Sequence, residues 1–405
     1  MKRVITGAFC CLVALAASAK AEDALWTPTG PMAVARTYHS AVLLDNGMVL
    51  AVGGYYSGPT AELYDPATDS WARTGDLSAR RDGGTATRLP DGRVLATGGG
   101  GAGYTIRDDA DLYDPETGLW TWAGTMSAPR VEHFAVLLLD GRVLVCGGVI
   151  GDARGSVDIF DPATETWTAA APMNEERQFP AAVVLADGRA LVAGGWNAKE
   201  SMSDAEIYDP ATDEWTPIES MNTARYAAGA VLLEDGRVLV AGGLGKGPSP
   251  TLASAEIFDP ETGSWTPARG MSEAKYFHAL MPLPDGRILA AGGSYREPGP
   301  CCTSTFLASA EIYYPSTGTW LPIAPMTRAR VRFTATLLLD GRIVMAGGFG
   351  VGTSAEVFDP SLLPPADDPP PPPPVENPGK NQGPANESAN TPTNAQGKLK
   401  GWAKD

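Results

Sequence analysis

The sequence has few of the side chains that most often carry cross-links or metals: five cysteines and three histidines in 405 residues. Cys10 and Cys11 fall in the first 21 residues. There Lys2-Arg3, an apolar stretch over 4–17 and the small-residue site Ala19-Lys20-Ala21 read as a secretory signal peptide. Cleavage is expected after Ala21, with a secreted or periplasmic location; the apolar region before Cys10 is too short to favour lipid attachment there. Cys146, Cys301 and Cys302 then remain. That number is odd and too small for a disulfide framework, so a buried core must hold the fold. No other apolar run approaches the length of a membrane span, and none is expected. Positive charge is also short, 31 Lys and Arg against 47 Asp and Glu for a net −16, which disfavours nucleic acid and anionic membranes as partners.

Glycine, by contrast, is abundant and periodic. Gly-Gly pairs stand at 53–54, 98–99, 147–148, 194–195, 242–243, 292–293 and 347–348, spaced by 45, 49, 47, 48, 50 and 55 residues. The unit around 221–266 reads as four strands. Strand a (228–233) ends at the Asp235-Gly236 hairpin turn. Strand b (237–243) is apolar on both faces and closes on the glycine pair, where another backbone or a ring can approach closely. Strand c (255–258) enters the proline turn 259–263, and strand d carries Trp265. The Asn-Gly and Asp-Gly turns recur at 46, 91, 140, 187, 235, 285 and 340. Each offers a single carboxylate or amide, so they are turns and not calcium loops.

A period near 50 with Gly-Gly on an apolar strand and a later tryptophan resembles the kelch repeat, one four-stranded blade per unit. The resemblance covers about four fifths of the chain and implies an all-β, seven-bladed kelch β-propeller. Its repeats fall at about 31–73, 75–123, 125–169, 172–218, 220–268, 270–323 and 325–360, within a propeller spanning 22–363. The seventh repeat lacks its tryptophan strand. Residues 24–28, around Trp26, match strand d of the other units, so the N-terminal strand is expected to complete blade seven and leave no open sheet edge. From 364 to 405 a proline run and a polar stretch read as a disordered tail, in which Trp402 is a stray aromatic.

Each connection from strand d to the next strand a carries one basic residue: Arg36, Arg80, Arg130, Arg177, Arg225, Lys275 and Arg330. Each strand c carries one acid: Glu62, Asp111, Asp158, Glu206, Glu256, Glu311 and Glu356. Equal counts at fixed spacing predict a repeated ion-pair network tying blades together and not an anion site. His39, His133 and His278 lie three residues after the basic position, with Gly83, Pro180, Ala228 and Phe333 in the other blades. They could meet at the axis and bind zinc or copper, but strand side chains here should face neighbouring blades, so packing is expected, with no cofactor. Galactose oxidase shares the propeller that the resemblance implies. It also needs two tyrosines, one cross-linked to cysteine, and no such set can be assigned.

Features that break the repeat are the better candidates for function. The pairs following the basic residues vary, and the resemblance places them, with the b–c loops, on a recognition face. The candidate binding residues are Tyr38, Arg81, Asp82, Glu132, Phe179, Tyr226, Tyr276, Phe277 and Arg332, aromatics beside charges as a sugar or peptide pocket would present. The longest b–c loop, 294–307, holds Cys301-Cys302. Adjacent Cα atoms about 3.8 Å apart make a vicinal disulfide a strained turn; it is expected ahead of an intermolecular bridge or a thiolate metal pair. Cys146 reads as a buried core residue. The expected function is a monomeric binding module for a protein or glycan. The alternative is an enzyme such as a sugar mutarotase, with Asp82 or Glu132 as acid or base and Arg332 or Arg81 holding an anion, or a copper oxidase relative.

Overall fold

The computed structural model describes residues 24–101, 105–148, 155–247, 251–297 and 303–366. The leader, the Cys301-Cys302 pair and the tail beyond 366 lie outside the described residues, all of which fall in one compact unit. They form seven four-stranded antiparallel sheets and no α-helix. The innermost strands are Ser40–Leu43, Thr85–Arg88, Phe134–Leu137, Ala181–Val184, Gly229–Leu232, Ala279–Pro282 and Thr334–Leu337. Each neighbours the next, and the last returns to the first, so the blades close a ring.

Closure is made by the strand Trp26–Pro28, which pairs with Ala355–Phe358 in the register Trp26 to Phe358. Every other blade repeats that register, for example Trp265 opposite Phe258. The rings of each such pair lie 4.8–5.1 Å apart, a tilted aromatic contact on the outer half of the blade. Five of the tryptophans also donate their indole N–H to a carbonyl of the preceding blade, as Trp26 does to Ala324 at 2.8 Å. The second strand of every blade is buried along its whole length, as Val49–Val52 is. Its side chains pack against the next blade, where Leu50 and Val52 join Val94, Ala96 and Tyr113.

The glycine pair is the joint between blades. Gly242 has φ +70°, and a Cβ there would stand 2.5 Å from the carbonyl oxygen of Lys275 in the next blade. The following N–H, of Gly243, donates to that same carbonyl at 2.9 Å. The same backbone bond recurs at six of the seven junctions, so the repeat must keep glycine where any side chain would push the blades apart.

Candidate functional site

The basic and acidic positions form one buried network per blade. In blade one Arg36 donates to the carbonyls of Gly53 and Thr60 at 2.8 and 2.7 Å and to Glu62 at 2.8 and 3.1 Å, both side chains fully buried. Glu62 also accepts from the N–H of Ala33 at 2.6 Å. Matching pairs are Arg130 with Asp158, Arg177 with Glu206, Arg225 with Glu256, Lys275 with Glu311 and Arg330 with Glu356. Each pair lies within one blade and fastens the incoming connection to it, while the glycine–carbonyl bond joins blade to blade. Blade two corrects the sequence reading: the buried member is Arg81, on Asp111 at 2.9 Å and on the Gly98 carbonyl at 2.9 Å. Arg80 instead clasps Asp82 near the surface, at 2.8 Å to each oxygen. Arg81 therefore leaves the candidate binding set, and Asp82 is held by Arg80 outside the axial cavity.

The shift by one residue also moves blade two's histidine-equivalent position to Gly84. All three histidines border one cavity on the axis, yet among the described residues they form no ligand cluster. Each imidazole lies over the first glycine of the preceding blade's pair, His39 on Gly347, His133 on Gly98 and His278 on Gly242, and the Phe333 ring sits likewise on Gly292. Nε2 of His39 bonds Thr334 at 3.0 Å, and that of His133 bonds Thr97 at 2.9 Å. Burial, reinforced by Arg36, Arg130 and Lys275 nearby, lowers all three to about 3, so they are neutral at physiological pH. Among the described residues no three His, Cys, Asp or Glu side chains converge as metal ligands.

Variety between blades is concentrated one residue earlier, two past the basic position: Tyr38, Gly83, Glu132, Phe179, Ala227, Phe277 and Arg332. All seven adopt φ between 49° and 63°, a left-handed conformation in which six of them carry a side chain. Each turns inward to the axis, and their backbones bond to one another around it. Tyr38 N–H donates to Arg332 O, Gly83 to Tyr38 and Glu132 to Gly83; separately, Ala227 donates to Phe179 and Phe277 to Ala227. The ring is thus two arcs, open between Glu132 and Phe179 and between Phe277 and Arg332. Open ends leave backbone groups at the axis for other partners.

The side chains at those open ends meet. The Arg332 guanidinium lies 3.2 Å from the Glu132 carboxylate, with both side chains mostly buried. Its carbon sits 3.1, 4.3 and 4.9 Å from the ring centres of Phe277, Tyr38 and Phe179. Burial pushes the Glu132 carboxyl above its usual range while Arg332 opposes the rise, and burial likewise raises Tyr38. These residues border an axial cavity of about 310 Å³. Five sequence candidates therefore converge: Tyr38, Glu132, Phe179, Phe277 and Arg332.

Tyr226 and Tyr276 lie on the rim, where their backbones pair with Leu244 and Ser294 of the b–c loops, placing those loops on the same face. Sequence reasoning missed Trp196, whose ring is 5.4 Å from that of Tyr226, and Phe349, edge-on to Tyr38 at 5.5 Å. Both stand directly after a Gly-Gly pair, a position that pairs with the variable connection and so gave a usable signal.

A closed ring of seven four-stranded sheets with a polar and aromatic cavity on its axis is a seven-bladed β-propeller. The Kelch motif model matches residues 131–174, 179–222, 225–272 and 278–327, so four of the seven blades carry the kelch motif. A solved structure described as a novel fungal alcohol oxidase with catalytic diversity among the AA5 family, in complex with copper, superposes with a TM-score of 0.69. It is 21% identical over 84% of this chain and 77% of its own, a likeness of fold. No curated protein matches. The histidine rings pack against the glycine pairs of neighbouring blades, and among the described residues no three His, Cys, Asp or Glu side chains converge beside them.

Proposed function

We propose that the chain is an exported recognition module that holds a protein or glycan ligand on the face built by the d–a connections and b–c loops, with the axial cavity at its centre. The observation that carries this reading is the position of Arg332. It lies on three aromatic faces beside Glu132, where a buried charged pair adds nothing that the seven structural pairs do not already supply. Arginine and carboxylate together offer donors and acceptors for hydroxyls or amides, and the rings offer flat apolar contact. A thermal-shift screen of small sugars, oligosaccharides and peptides tests it. A ligand that raises the melting temperature of the wild type and not of Arg332→Ala supports the reading; equal shifts in both contradict it.

A second reading keeps the same cavity for catalysis on a sugar, with Glu132 as acid or base. The raised Glu132 carboxyl favours it. Asp82 has no part in it, being held by Arg80. Turnover that disappears in Glu132→Gln distinguishes this from simple binding.

A further inference from the structure

A second cavity, of about 300 Å³, opens on the same face between the b–c loops of blades four, five and six. Trp196 and Tyr226 form its aromatic wall, and Lys199, Lys246 and Arg296 line it with the single acid Glu200. In a chain of net charge −16 this is a local excess of positive charge. The loops are fastened to one another: Ser201 donates to the Gly245 carbonyl at 2.8 Å, and the Arg296 N–H to the Thr251 hydroxyl at 2.9 Å. The cavity is therefore shaped before any ligand arrives. Lys246 meets Glu200 at 3.1 Å with more than half of each side chain exposed, a pair weak enough for a competing carboxylate to replace.

The two cavities adjoin the same stretch of chain. Tyr226 borders the outer one and its neighbour Ala227 the axial one. Rings lead from one to the other, Trp196 to Tyr226 at 5.4 Å, Tyr226 to Phe179 at 6.3 Å and Phe179 to Phe277 at 5.3 Å. A run of aromatic rings suits apolar contact with a chain of sugars, and the excess of cations at the outer end suits acidic groups there.

We propose that this outer cavity binds an acidic sugar unit, a hexuronate, of a glycan whose adjoining unit occupies the axial cavity. The inference rests on the axial cavity being a glycan site and adds the charge of the ligand and its direction along the face. The carboxylate is held by Lys246 and Lys199, and the ring packs on Trp196 and Tyr226.

The test is calorimetric titration of the full-length protein at low salt with trigalacturonate, with the neutral trisaccharide maltotriose and with a hexaglutamate peptide. Trigalacturonate is expected to bind at least tenfold more tightly than maltotriose. The advantage should shrink with added salt and be lost in Lys199→Ala/Lys246→Ala, whose melting should be unchanged because both side chains are at the surface. Equal affinity for the two trisaccharides, or an undiminished preference in the double variant, overturns the acidic subsite. Binding of hexaglutamate without trigalacturonate overturns it in favour of an acidic peptide. Arg332→Ala separates the two claims: if it leaves every affinity unchanged, the axial reading fails, whereas if it weakens both trisaccharides while the preference persists, both stand.

Discussion

The Arg332 guanidinium in blade seven reaches the Glu132 carboxylate of blade three at 3.2 Å, joining the two ends of one backbone arc around the axis. The pair has no counterpart among the seven repeated basic–acid pairs. Burial raises the Glu132 carboxyl and lowers the Arg332 guanidinium, and each partner opposes the other's shift.

Glu132→Gln leaves Arg332 an amide oxygen to bond and its three rings, so it should cost about 1 kcal/mol or less. Arg332→Ala leaves a buried carboxylate unpaired and strips three rings of their cation; with some solvent reaching the cavity, a cost of about 1–3 kcal/mol is expected. Denaturant unfolding of both variants checks this. A larger loss for Glu132→Gln than for Arg332→Ala would show the pair to be a structural bond.

Arg80 and Arg81 are neighbours with opposite roles. Arg81→Ala strands Asp111 in the core and should cost about 3–5 kcal/mol, while Arg80→Ala, on a pair close to the surface, should cost below about 1 kcal/mol. Comparing their unfolding midpoints settles which arginine belongs to the repeat.

The buried histidines predict acid sensitivity. Their folded value of about 3 lies below the unfolded value near 6.5, so the unfolded chain binds more protons between these limits. The stability they contribute is complete above about pH 6.5 and is lost as pH falls towards 3, by up to about 1.4 kcal/mol per unit for each histidine. Phe333 fills the same place over Gly292. His278→Phe should accordingly flatten the stability profile between pH 6.5 and 4; an unchanged slope would place the acid sensitivity elsewhere.

Closure by the N-terminal strand predicts that deleting residues 22–30 abolishes cooperative melting near the wild-type temperature. Trp26→Ala alone should cost about 3–5 kcal/mol, since Trp26 is buried against Phe358 and bonded to Ala324.

Blade number, hairpin turns and ring closure were legible because each is written seven times or completes a count: Trp26 answers the tryptophan missing after Asp359-Pro360. The Arg80-Arg81 doublet misled although the spacing held the answer: every other basic residue stands 17 residues before the first glycine of its pair, and the residue 17 before Gly98 is Arg81. The histidines share a register, but the sequence does not say that each points back at a glycine of the preceding blade. Glu132 and Arg332 were each legible as departures from the repeat. Their contact was not, because it depends on a ring closing and bringing blade three opposite blade seven. Trp196 was legible by its place directly after Gly194-Gly195, but that position was not compared between blades.

The proposal in its glycan form, that the axial cavity is a glycan-recognition site organised by Arg332, is tested most directly on a glycan array with the wild type, Arg332→Ala and Arg80→Ala as the surface control. The wild type and Arg80→Ala should retain the same glycans, and Arg332→Ala should lose them by at least tenfold while still melting cooperatively. An array that retains no glycan, or one on which Arg332→Ala retains the same glycans at the same strength, contradicts it.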